Sequence, residues 1–138
     1  MLLLGQPASG KDIEGTWVLT ITIPDAPGSR DKRTFTVTLN VTPRGRSLNG
    51  RMTVTDEQNR TVGAVWRQVG KRVFISLELP CEGEDQTPCA SLIMEAKLKS
   101  QGMRLKKGKV VVMWDTPNDE NPALYDTSNG TFSGERIE

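Results

Sequence analysis

Between residues 34 and 42 two kinds of side chain alternate without a break. Phe35, Val37, Leu39 and Val41 fall on one parity, and Thr34, Thr36, Thr38, Asn40 and Thr42 on the other. Successive side chains of an extended chain point to opposite faces, so this segment reads as a strand with one dry face and one wet face. Its valines and threonines suit a pleated, half-buried surface. A helix of 3.6 residues per turn would scatter the same residues around its whole circumference. A chain that repeats this rhythm end to end is committed to sheet.

The repetition is extensive. Trp17, Leu19, Ile21 and Ile23 share a face before Pro24 stops the first strand. Leu48, Gly50, Met52 and Val54 make a third inward set after the Pro43-Arg44-Gly45-Arg46 turn, and Val62, Ala64 and Trp66 a fourth. Val73, Ile75, Leu77 and Leu79 follow the Val69-Gly70-Lys71 turn, and Leu92, Met94, Ala96 and Leu98 form the sixth set. The seventh segment breaks register: Met103 and Leu105 share a parity with Lys107 and Lys109, whereas Val110, Val112 and Trp114 take the other. A β-bulge near Gly108, which adds one residue to one strand, reconciles the two halves. A loop over residues 115–128 leads to a last strand, Gly130 to Arg136. No segment carries a helical stripe. The expected fold is all-β, a single antiparallel up-and-down barrel of about eight strands, because closure removes the edges that an open meander would expose. A sandwich is the competing architecture, but Cys81 and Cys89 are too close in sequence for an inter-sheet bridge. With 138 residues, one domain over 15–138 is expected, preceded by residues 1–14.

The opening Gly15-x-Trp17 and the terminal Gly130-Thr131-Phe132-Ser133-Gly134-Glu135-Arg136 resemble the lipocalin-like, or calycin, barrels. The rhythm Phe35-x-Val37-x-Leu39 followed by Leu48-x-Gly50 is similar too, and the likeness spans Gly15 to Arg136. The resemblance implies a lipocalin-like barrel in which Trp17 closes one end and Arg136 packs across its ring. The chain departs from secreted lipocalins in lacking an acidic-to-arginine turn motif, and from avidins in lacking their polar ligand contacts and tryptophans. The whole layout is similar to that of short bacterial lipocalin-like proteins of unassigned role.

Function is less constrained. The chain contains no histidine, which removes the commonest general base and metal ligand near neutral pH. No Gly-x-Ser-x-Gly elbow occurs, no cofactor motif is present, and no metal site is expected. The oxygen-rich stretch Asp115 to Asn121 lacks the spacing of a calcium loop and reads as an ordinary turn. A non-enzymatic barrel is therefore expected. Its interior set includes Phe35, Met52, Trp66, Met94, Trp114 and Phe132, which either fill the core or line an apolar ligand pocket. On the last hairpin but one, Lys97, Lys99, Arg104, Lys106, Lys107 and Lys109 crowd into thirteen residues of a chain whose net charge is +1. Such segregation is either a solvated edge or a seat for an acidic protein, an anionic membrane surface or nucleic acid, and a membrane-associated complex is one setting for such a protein partner. Nucleic acid is disfavoured because no aromatic residues interleave with the cations. The expected role is an accessory or interaction subunit of a larger assembly; the alternative is a carrier of a small apolar ligand.

Two further features bear on location. Cys81 and Cys89 bracket a short loop and suit a local disulfide, which would place the chain in an oxidising, exported or periplasmic setting; two free thiols are the other reading. Met1 to Gly10 reads either as a short apolar arm or as the tail of a signal peptide. No stretch is apolar for the roughly 18 residues of a membrane helix.

Overall fold

A computed structural model describes residues 13–42, 49–80, 88–117 and 125–137, with side chains for 13–42, 50–79, 90–114 and 126–137. Eight strands follow one another: β1 Gly15–Pro24, β2 Lys32–Val41, β3 Asn49–Asp56, β4 Thr61–Val69, β5 Arg72–Pro80, β6 Pro88–Lys99, β7 Arg104–Pro117 and β8 Tyr125–Arg136. Each pairs antiparallel with the next, and β8 pairs with β1, so the sheet is an up-and-down closed barrel. The described residues contain no helix. None could therefore cross a membrane as an apolar helix.

The period-two pattern determines which wall is which. Trp17, Leu19, Ile21 and Ile23 are fully buried on β1, and Val37, Leu39 and Val41 face them from β2. Val73 to Leu79 on β5 and Leu92 to Leu98 on β6 continue the same inner surface at alternate positions. These side chains and their neighbours form one contiguous core inside the barrel. Hydroxyl and charged residues of the intervening positions face out.

The register break on β7 is resolved as expected in kind. The β7–β8 pairing shifts between Leu105 and Gly108, and Lys107 adopts a left-handed φ of 56°. The extra residue is thus accommodated at Lys106–Lys107, just before Gly108. Leu105, Val110, Val112 and Trp114 consequently all point inward, although their sequence parity differs. A Cβ on Gly108 would overlap the backbone carbonyl and ring of Phe132, so the close approach of β7 to β8 needs glycine here. Two expectations change. The loop over 115–128 is shorter than its composition suggests, because β7 runs on to Pro117 and β8 begins at Tyr125. Met103 does not join the inward parity of Leu105: it sits in the β6–β7 turn with its side chain exposed, following left-handed Ser100, Gln101 and Gly102. Three left-handed residues in a row turn the chain before a strand can begin.

The strand ends define two rims. Trp17, Val41, Gly50, Gln68, Val73, Leu98 and Leu105 mark one, called the closed end below; Ile23, Arg33, Val62, Leu79, Ala90 and Trp114 mark the other, called the far rim below. At the far rim Asp56 organises the β3–β4 turn. Its carboxylate accepts from the backbone N–H groups of Gln58 (3.0 Å) and Arg60 (2.8 Å) and pairs with the Arg60 Nε at 2.8 Å. Burial pushes its pKa up, but these donors and the Arg60 charge outweigh burial and hold it below the usual carboxylate value. A carboxyl depressed in the folded state stabilises the fold above its unfolded pKa, and that contribution disappears as pH falls through the folded value. Asp56→Asn should lower stability by about 1–2 kcal/mol at neutral pH. Urea titrations of both proteins should converge as pH falls through the folded pKa of Asp56, below the usual carboxylate value, where the wild-type carboxyl is also protonated. A gap independent of pH would contradict this role.

Candidate functional site

The closed end is a hydrogen-bonded lock. Trp17 and Arg136 are direct partners across the β1–β8 seam, and the guanidinium lies 5.0 Å from the centroid of the Trp17 ring. The Arg136 Nε donates to the Gly102 carbonyl at 2.9 Å, and its Nη1 donates to the Glu14 carbonyl. The Trp17 Nε1–H donates to the Ile13 carbonyl at 2.9 Å. Ile13 is itself buried and donates its N–H to the Gln68 Oε1 at 3.1 Å, while Gln68 Nε2 donates to the Gly70 carbonyl at 2.9 Å. Residues 13–14, the β4–β5 turn and the β6–β7 turn are thereby tied to one indole and one guanidinium. The planar fork of arginine suits this, since it donates in two directions while its face rests on the ring.

Gln68 and Ile13 are the members that sequence reasoning missed. Gln68 continues the inward parity of Val62, Ala64 and Trp66, which was the available signal. As the only buried polar or charged residue among those described, it would be costly there without its two backbone partners. Ile13 precedes the first alternating segment and carries no pattern of its own.

The expected interior set is brought together. Met52, Trp66, Met94, Trp114 and Phe132 are buried in the core, and Phe35 is half-buried against it near the far rim. Trp114 donates to the Ser128 hydroxyl at 2.9 Å. The Trp66 Nε1 is buried without a partner among the described residues, as is the Nε of Arg33, whose guanidinium lies 5.3 Å from the Phe35 ring. The Cys81–Cys89 pairing and the acidic stretches 82–85 and 115–120 lie outside the described side chains.

The expected basic set is also brought together, on the outside. Lys97, Lys99, Arg104, Lys106, Lys107 and Lys109 are all exposed. Lys97 stands opposite Lys106, and Lys99 opposite Arg104. The bulge matters here: consecutive residues of a regular strand would send Lys106 and Lys107 to opposite faces, whereas both side chains reach solvent. β5 and β4 extend the patch, with Arg72 opposite Lys97 and Arg67 exposed one row further along. Two acids interrupt it: Glu95 lies 3.7 Å from Arg72, and Glu135 lies 3.6 Å from Arg104. Both pairs are exposed and of little energetic weight. Where the patch turns onto β8 and β1, a shallow groove of about 300 Å³ runs between Arg104, Lys106, Ser133, Glu135, Val18 and Thr20.

Compared with known proteins, the chain matches no family model, no curated protein sequence and no solved structure. The closed eight-stranded antiparallel barrel is consistent with a lipocalin-like fold.

The lock makes a stability prediction. Arg136→Ala should cost about 2–4 kcal/mol, since it removes two charge-assisted hydrogen bonds and the ring contact together. Chemical denaturation reads this directly, and an unchanged midpoint would contradict the lock.

Proposed function

We propose that this chain is a non-enzymatic barrel of the calycin type that acts as an accessory subunit, docking on a partner protein through the basic outer wall of β4 to β7. The observation that carries the reading is the convergence of eight cations, Arg67, Arg72, Lys97, Lys99, Arg104, Lys106, Lys107 and Lys109, on one exposed wall of a chain with net charge +1. Clustering of like charge disfavours folding, and cations directly opposite one another in a sheet repel. An acidic surface laid against them would relieve that repulsion and would also steer the encounter. The absence of histidine from the sequence supports the non-enzymatic half of the reading.

A carrier of a small apolar ligand is the second reading. The Trp66 Nε1 has no acceptor among the described residues, which favours it, because a buried donor is costly unpaired and a ligand oxygen inside the barrel would satisfy it.

Native mass spectrometry of the protein purified gently from its own cells separates the two. The docking reading predicts a stoichiometric protein complex that Lys97→Glu, Lys106→Glu and Lys107→Glu together dissociate, with raised salt weakening the wild-type complex in the same way. Unchanged recovery of the complex by the charge-reversed variant would contradict it. A small-molecule adduct on the isolated chain, lost on unfolding, would favour the carrier.

A further inference from the structure

The basic wall is half of a larger surface. Moving along β6 and β7 from the closed end toward the far rim, cross-strand pairs change character. Lys99 stands opposite Arg104, Lys97 opposite Lys106 and Glu95 opposite Lys109, and then come Ile93 opposite Val111 and Ser91 opposite Met113. Ile93, Val111 and Met113 are 47%, 40% and 43% exposed. Val65, two strands away and aligned through Ser76, is 52% exposed and extends the Ile93–Val111 row across β4 to β7. Same-face residues on a strand are spaced by roughly 6.8 Å, so the apolar rows begin about one row beyond the last lysine. The face thus has a basic half and an apolar half in sequence along the strands.

We infer that this two-part face receives a protein segment of matching polarity, with a run of carboxylates over Lys97, Lys106 and Lys109 and apolar side chains over Ile93, Val111 and Val65. The inference rests on the docking reading above and names the chemistry of the partner. Three observations support it. The barrel is closed, so its strands offer no free edge to extend, and a partner must engage side chains rather than add a strand. Arg72, Lys97 and Lys106 lie side by side across three strands, with Glu95 adjoining them, so positive charge is in excess where carboxylates would sit. Finally, a lipid surface fits poorly. Glu78 is exposed on β5 in the same row as Ser91 and Met113, and burying the apolar half in a bilayer would drive its charge toward hydrocarbon.

Synthetic peptides test this on the intact chain. One carries a block of glutamates followed by a block of leucines; the second keeps the glutamates but replaces leucine by serine; the third alternates the residues of the first. Fluorescence anisotropy should show the block peptide binding at least about tenfold more tightly than either control. Ile93→Thr with Val111→Thr, which keeps β-branching, should abolish that advantage. Reversal of Lys97, Lys106 and Lys107 to glutamate should abolish binding of all three peptides. If the block and serine peptides bind equally and the threonine variant changes nothing, the apolar half is not part of the dock, and only the basic reading survives. If no peptide binds, both readings fall. Binding to vesicles containing about one-third phosphatidylglycerol, without binding to the block peptide, would replace the protein segment by a membrane surface. A concentration-dependent dimer abolished by the threonine variant would make a second copy the occupant and would also overturn the inference.

Discussion

The stacking of Arg136 on Trp17 holds together what the rest of the molecule needs. β1 and β8 are the first and last strands among the described residues, and a meander becomes a barrel only if they meet. The β1–β8 register sets these two residues opposite one another at the end of the seam. The guanidinium then reaches Gly102 and Glu14, and the indole reaches Ile13, so two turns and the chain entering β1 converge on the same point. Each contact alone is modest. Together they satisfy backbone groups that would otherwise lie unpaired at a barrel end.

Closure in turn limits where function can reside. A barrel without edges cannot recruit another chain by strand pairing, which leaves its interior, its rims and its outer wall. Trp17 and Arg136 are fully engaged in closure, so they identify the architecture and are poor candidates for recognition. The outer wall is different. The bulge at Lys106–Lys107 keeps Leu105 and Val110 both inside while sending two adjacent lysines outside. The same irregularity that saves the core therefore concentrates charge on the surface.

Much of the fold was legible because alternation is a strong signal when one face is dry and the other wet. The bulge was legible too, since Met103 to Val112 cannot keep a single parity and still bury its valines. Met103 itself was misplaced because it continues the parity of Leu105, and only the three left-handed residues before it show that the strand has not begun. The basic hairpin could be read from the lysine spacing alone. Its extension to Arg67 and Arg72 could not, because those residues join it through pairing across β4 to β6, and register is a tertiary property. The apolar rows were hidden for a related reason. Ile93 and Val111 sit beside inward Leu92, Val110 and Val112 in continuous apolar runs, where sequence does not say which members face solvent. Gln68 was hidden by its type, since a glutamine at the end of an alternating strand ordinarily marks solvent.

The barrel interior is packed core, and the proposed docking places recognition on its outer wall. Methyl-selective NMR of the chain bound to its co-purified partner tests this most directly. The methyl signals of Ile93, Val111, Val65 and Met113 should shift or broaden, while those of Met52, Met94 and Val112 stay in place. Shifts confined to Met52, Met94 and the other inward methyls, with the outer wall silent, would contradict it.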